Sequence, residues 1–229
     1  MHHTSFNAFK KRYELSREEM TRELFNENRE TIKIKKEKTA LKNLQKIIDA
    51  VFSIAMKKGF TAMSMRDLCE ESGLSMGGLY GYIKSKEELL ALIQGQGRRM
   101  LERFLTESLT DLEGPFERLA AVIRAHIYLS EVARPWFFFS FMESRHLGKT
   151  EIAQAQAVEE ATEKVLIELI ESGIQCGDFQ KTDPFLMASL IKAMQQDWYL
   201  KRWKFKKRNT SVETYADAVV EMVKQRLCA

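Results

Sequence analysis

Apolar residues recur with helical spacing along almost the whole chain, and the runs are separated by glycine, proline, serine or aspartate suited to helix ends. Leu44, Ile47, Ile48, Val51, Phe52 and Ala55 share one face of a helix predicted from about Ala40 to Lys58. Ser64 with Asp67 three residues on is a capping-box pattern that opens a helix at Met65, with Leu68 and Cys69 turned inward. Gly73 ends it, and Leu74 plugs the gap to the next segment. Ser75 can cap a helix from Met76 to about Ile83, and Ser85 with Glu88 opens a longer one from Lys86 towards Leu109. Gly95 and Gly97 interrupt its middle, which suits either flexibility or close packing on a neighbour.

Beyond Gly114, Pro115 starts a helix carrying Leu119, Val122, Ile123 and Ile127. After Pro135 the text WFFFSFMESRHL crowds aromatics beyond what one helical face can bury against a single neighbour, so they must point several ways. A helix from Thr150 to about Gln175 shows Val158, Ala161, Val165, Leu166, Leu169 and Ile170 on one face. Asp183 and Pro184 open another, striped by Met187, Leu190, Ile191, Met194 and Trp198, and a last one from about Val212 carries Tyr215, Ala216, Val219, Met222 and Val223. At the other end, Ser16 with Glu19 predicts a short amphipathic helix with Met20, Leu24 and Phe25, ending near Asn28 and carrying a mobile tip. The fold class is therefore all-α.

The stretch from Met65 to Leu90 has the outline of a helix-turn-helix. Its second helix holds Gly77, Gly78 and Gly81, each costing about 0.8–1 kcal/mol of helix propensity relative to alanine. Small side chains there suit a helix laid against a bulky surface such as a DNA groove; an irregular loop with buried tyrosines is the blander account.

The run from Leu44 to Ile93, with Lys58, Gly59 and Phe60 followed by SMRDLCEESGLSMGGLYGYIKSKEEL, resembles the DNA-binding domain of the TetR family of bacterial transcription regulators. The resemblance implies that Met76, Gly77 and Gly78, on the helix capped by Ser75, face base edges. It places Tyr80, Tyr82 and Lys86 on the phosphate backbone, with Ser64 and Arg66 approaching it from the preceding helix. Gly81 departs from the family, which often has a larger residue there, so base readout is expected to be thin and specificity to lean on Met76, Arg66, any basic arm and DNA shape. The family also implies a ligand cavity among the central helices of the C-terminal half, and a dimer interface made by the last two helices and their copies. The expected arrangement is a three-helix DNA-binding domain joined to a larger helical ligand-binding and dimerisation domain: an extension over 1–39, the reading domain over 40–90, the helical domain over 91–229.

Charge sharpens this picture more than composition does. The chain has 229 residues, 45% apolar and 30% charged, with a net charge of +4. Lys33, Lys35, Lys36, Lys38 and Lys42 are packed ahead of the first domain helix, where a basic arm with Lys36 and Lys38 can reach a minor groove or flanking phosphates; a solvated lysine-rich helix start is the alternative. A second basic run, WYLKRWKFKKRN, reads as cations at a helix C-terminus with Trp203 and Phe205 packed inward, or as a patch for an anionic ligand such as the phosphates of an acyl-coenzyme A.

Cys69, Cys176 and Cys228 are odd in number and scattered, reading as reduced thiols, and His2 with His3 reads as a disordered end rather than a metal site. No signal peptide or apolar span is evident, so a cytoplasmic protein is expected, with no membrane partner. No strand-associated phosphate loop, HExxH or GxSxG occurs; no catalytic residue, cofactor or metal is assigned. The ligand candidates are Arg124, His126, Trp136, Phe139, Met142 and Val165, with Arg134, Glu143, Arg145 and His146 the other polar groups nearby. The dimer candidates are Leu190, Met194, Trp198, Tyr215, Val219 and Met222. The partners expected are double-stranded DNA, a second copy and a small effector of apolar or acyl type, in a near-palindromic operator repressor; a sequence-indifferent architectural DNA-binding protein is the alternative.

Overall fold

A computed structural model describes residues 5–143 and 149–228, and every regular element among them is an α-helix. The first, α1 (Phe6–Glu27), is far longer than the predicted Ser16–Asn28 helix. Ser5 caps it, its hydroxyl accepting from the Ala8 amide at 3.3 Å, and Ser16 lies inside the helix instead of at its start. Phe6, Phe9, Tyr13, Met20 and Leu24 set its inner face, so the helix begins where aromatic anchors begin.

The expected reading unit follows. α2 (Glu37–Lys58) buries Leu44, Ile47, Ile48 and Val51 on the predicted face. α3 (Met65–Ser72) ends at Gly73, whose φ of 70° is left-handed backbone that glycine adopts without a Cβ clash. α4 (Met76–Leu79) is a single turn, shorter than the predicted Met76–Ile83 helix. Past Leu79 the chain tightens into i to i+3 bonds, with the Gly81 amide on Gly78 O at 3.2 Å and the Tyr82 amide on Leu79 O at 2.9 Å. Three glycines in six residues leave little helix propensity to hold a regular ladder there.

α5 (Lys86–Ser108) runs unbroken from the Ser85 cap into the helical body, so the boundary expected after residue 90 falls within one helix. α6 (Pro115–Val132) is central, packed on α1, α5, α8, α9 and α11, with Leu119, Ile123, Ile127 and Leu129 fully buried. α7 (Arg134–Glu143), α8 (Lys149–Gln175), α9 (Pro184–Leu200), α10 (Arg202–Lys207) and α11 (Val212–Leu227) complete the body. No described helix is long and apolar enough to cross a membrane.

The aromatics of α7 fan out as their crowding requires. Trp136 lies against α5, where a Cβ on Gly97 would stand 1.8 Å from its ring, and its indole NH donates to Ile93 O at 3.3 Å. Close packing, rather than flexibility, thus accounts for Gly97. Phe137 meets His126 and Tyr199 of the body, with ring centroids 5.3 and 5.2 Å away. Phe139 meets Phe52 and Phe60 of the reading unit at 5.7 and 5.4 Å. Each edge-on pair adds about 0.5–1.5 kcal/mol beyond area burial, so this one short helix ties the reading unit to the body.

Gly97→Ala should destabilise the protein by about 1–3 kcal/mol in urea unfolding, because the new methyl overpacks against a buried indole. Trp136→Leu placed on top of it should recover part of that loss; strict additivity of the two would contradict the wedge.

Candidate functional site

Two caps hold the helix-turn-helix in shape. At α3, the Ser64 hydroxyl accepts from the Asp67 amide at 3.2 Å while the Ser64 amide donates to Asp67 Oδ2 at 2.7 Å. Lys58 Nζ, 2.7 Å from the same carboxylate, and then Ser64 hold the Asp67 carboxyl well below the usual carboxylate range. At α4, the Ser75 hydroxyl accepts from the Gly78 amide at 3.1 Å. Ser64 and Ser75 therefore serve as caps, on the exposed rim of the motif.

What the caps present to solvent is Arg66, Met76, Gly77 and Tyr80, with Met76 38% and Tyr80 45% exposed. A Cβ built on Gly77 meets nothing within 4 Å, so the protein's own packing does not require glycine there. Gly78 is half-buried, and its would-be Cβ stands 3.2 Å from Ser75 Oγ.

Tyr82 corrects the expectation of a phosphate contact. It is 2% exposed, and its hydroxyl accepts from Asn43 Nδ2 at 3.0 Å, which ties the end of the motif to α2. Burial pushes its phenol up, against the Asn43 bond. Lys86 is half-buried; its ammonium donates to Thr61 O at 3.0 Å and sits 5.1 Å over the Phe60 ring, clamping the loop before α3. Periodicity could not show this, since a tyrosine two residues from an exposed one reads the same whether a turn or a helix separates them.

The ligand candidates do not form one site. Arg124 pairs with Asp217 of α11 at 2.8 Å. Trp136 borders a cavity of about 300 Å³ between α1, α2, α5 and α7, with Tyr13, Met20 and Ile48 among its walls. Phe139 is committed to the reading unit and Met142 is 41% exposed. Arg145 and His146 lie outside the described residues, as do His2 and His3. Of the candidates, Val165 alone lines a cavity of about 490 Å³ between α5 and α8, whose apolar walls include Leu101 and Leu105 and whose polar groups are Arg98, Glu102, Thr106 and Thr162.

His126 belongs to a buried polar cluster that the sequence did not single out. Lys192, with a side chain 6% exposed, donates to Thr162 Oγ1 at 2.7 Å and lies 3.2 Å from Glu159. Gln195, one turn on along α9, is 1% exposed, and neither end of its amide has a hydrogen-bond partner; His126 Nδ1 has none either. Burial, then the nearby Lys192 charge, holds His126 well below its usual pKa. A buried amide left unbonded costs about 1–3 kcal/mol, so Gln195 is held there at a cost to stability. Lys192 and Gln195 fall off the apolar stripe of α9, where polar residues are expected, so the sequence carried no signal that this face is buried with Ala188 and Tyr199.

Of the dimer candidates, Leu190 and Met222 are 53% and 61% exposed, and Met194 and Tyr215 border the same groove of about 620 Å³. Trp198 and Val219 correct the expectation: both are buried in the protomer, Trp198 between Phe205 and Tyr215. Phe185 and Leu186, 64% and 60% exposed, extend the apolar face. In the second basic run, Trp203 is 69% exposed and not inward, whereas Lys201 and Lys204 pair with Asp197 and Arg202 with Glu131.

Residues 47–93 match the family model described as bacterial regulatory proteins, tetR family, and residues 113–227, half of the chain, match the tetracyclin repressor-like C-terminal domain. The chain belongs to the TetR family of bacterial transcription regulators. As a TetR-family member it is a helix-turn-helix DNA-binding protein with a helical ligand-binding domain. It is 34% identical over 91 residues to the uncharacterised regulator YfiR of Bacillus subtilis, a stretch covering 40% of this chain and 41% of that relative. A TetR-family regulatory protein from Rhodococcus RHA1 shares the fold with a TM-score of 0.72 at 24% identity, over 82% of this chain and 98% of the other. AibR, in complex with isovaleryl coenzyme A and operator DNA, does so with a TM-score of 0.68 at 23% identity, over 80% and 97%.

A histidine held neutral in the fold makes the unfolded state the better proton binder below its ordinary pKa. Stability should therefore fall as pH drops from 7.5 to 5.5, with a slope approaching about 1.4 kcal/mol per unit below roughly pH 6.5. Urea titrations across that range check it, and His126→Gln should flatten the dependence.

Proposed function

We propose that this TetR-family chain acts as a homodimeric repressor that reads a near-palindromic operator and is released by a small acyl-type effector. The observation that carries the reading is the exposed surface of Met76, Gly77 and Tyr80 on a capped one-turn helix, open where the chain's own packing asks for nothing. A bare Gly77 lets backbone approach a groove closely, Met76 offers an apolar contact to a base edge, and Tyr80 offers a hydroxyl to a phosphate. Arg66 supplies the cation on the preceding helix. In this reading residues 40–90 form the reading domain and 91–229 the domain for effector and dimer.

The face built from Phe185, Leu186, Leu190 and Met222 supports self-association across a two-fold axis, which sets half-sites about one helical turn, roughly 34–36 Å, apart or more. The effector is best accommodated between α5 and α8, where apolar walls lead to Thr162 and the Lys192 cluster. That combination suits an acyl chain ending in a carbonyl or anionic group, the chemistry present in the AibR complex. Its signal has a route: α5 leads directly to the reading unit, and His126 touches Phe137 of the helix whose Phe139 touches Phe60. A hundredfold release needs a differential affinity of about 2.7 kcal/mol between the two dimer states.

Fluorescence anisotropy on the DNA flanking the gene, with unrelated DNA as competitor, tests the reading. Met76→Ala should change the preference among sequences, while Leu190→Asp with Met222→Asp should give a monomer by sedimentation that loses the palindrome. Saturating acyl-coenzyme A should release the wild type and fail to release Lys192→Met; release of both alike would place the effector elsewhere.

A further inference from the structure

The N-terminal extension lies outside the matched family domains, which begin at residue 47 within α2. It is nevertheless fastened along the whole molecule. The Phe6 amide donates to Glu213 of α11 at 2.8 Å, and Phe9 packs against Phe104 and edge-on to Tyr128, with ring centroids 5.2 and 5.7 Å away. Arg103 of α5 bridges Glu19 and Glu23, Arg99 meets Glu27 at 2.9 Å, and Phe25 is 2% exposed. The chain then leaves α1 and runs without helix to α2.

That connecting segment is pinned to the reading motif. Ile32 is 5% exposed, and the Lys33 amide donates to Gly81 O, in the turn that follows α4, at 2.9 Å. Ile34 fills the space beside Gly81: a Cβ there would stand 3.4 Å from Ile34 Cδ1 and 3.1 Å from Gly78 O. The bare glycine and the isoleucine fit each other. With the alternating residues Ile32 and Ile34 held inward, Lys33, Lys35, Lys36 and Lys38 are all exposed next to the turn that carries Tyr80.

Among the described residues, none of the cations of this segment forms an ion pair. Residues 29–42 hold six cations (Arg29, Lys33, Lys35, Lys36, Lys38, Lys42) against two carboxylates (Glu30, Glu37), a net charge equal to the +4 of the whole chain. Glu37 pairs with Arg22 of α1 at 3.3 Å, which draws it away from the lysines. Lys36 stands at the N-cap of α2 with no side-chain cap bond, where a helix favours an acceptor and repels a cation, so folding alone does not select it.

We infer that the extension is a fixed part of the DNA-binding surface: α1 rivets it to the body, so that Lys33, Lys35, Lys36 and Lys38 form a basic ridge contacting duplex phosphates beside the bases read by α4. This rests on the operator-reading role proposed for α4. A pinned ridge retains its entropy advantage over a loose arm, since its lysine stems start from an ordered backbone.

The test is a salt titration of the full-length protein, by anisotropy, on the tightest duplex recovered from a random pool and on an unrelated duplex. Lys33→Ala, Lys35→Ala, Lys36→Ala and Lys38→Ala are combined in one variant; all four residues are exposed, so its thermal midpoint should match the wild type. The variant should bind both duplexes roughly 10- to 100-fold more weakly, with a plot of log K against log salt shallower by about 2 or more, while the preference between sequences is retained. Phosphate-ethylation interference lost in the variant should be confined to the backbone adjoining the α4 half-site. Unchanged affinity and slope on both duplexes would overturn the inference while leaving α4 reading intact, and interference scattered along the duplex would overturn the pinned geometry. A wild type without sequence preference, unaltered by Met76→Ala, would instead count against the operator reading, and the slope on unrelated DNA would still decide whether the ridge touches phosphate.

Discussion

The wedge of Trp136 into the bare face of Gly97 fixes how the reading unit meets the helical body. Any side chain at residue 97 would displace the indole, and the indole anchors α7 by its bond to Ile93 O. With α7 held there, Phe137 is directed at His126 and Tyr199, and Phe139 at Phe52 and Phe60. Interiors packed like this do not deform gradually; they shift between discrete arrangements, which is what a two-state regulator needs. Phe60 in turn lies under the Lys86 ammonium that clamps the start of the motif, so the same aromatic chain reaches from the body to the edge of the reading surface.

Against this rigid joint, the body keeps a polar interior that stability alone would not choose. A lysine 5% exposed, a histidine held neutral and a glutamine with both amide ends unbonded sit among the side chains that α6, α8 and α9 bury. Their desolvation is offset only in part by Thr162 and Glu159. The T-shaped contact of His126 on Phe137 puts this polar interior one helix away from the joint.

The helical class, the three caps and the turn at Gly73 were legible because each depends on a few adjacent residues: Ser64 with Asp67, Ser75 with Gly78, Ser85 with Glu88. The fan of α7 was legible in outline, since so many aromatics cannot share one face. Partners distant in sequence were not. Tyr82 turns inward because Asn43 waits on α2, and Ser16 fails to start a helix because Phe6 and Phe9 find Tyr128 and Phe104, far along the chain. Trp198 and Val219 carry the same stripe as Leu190 and Met222, yet only the folded chain shows which side of that stripe faces its own core. Arg124, Phe139 and Val165 lie in three different surroundings, because the helices that carry them pack on different neighbours.

The central claim is that a capped, glycine-bare turn at Met76 to Tyr80 reads DNA as a two-fold pair. Selection of bound duplexes from a random-sequence pool, followed by sequencing, addresses it most directly. Enrichment of an inverted repeat with half-sites about one helical turn or somewhat more apart, held against roughly a thousandfold excess of unrelated DNA, is the predicted result. Recovery of duplexes with no common sequence, bound as weakly as the starting pool, would contradict it.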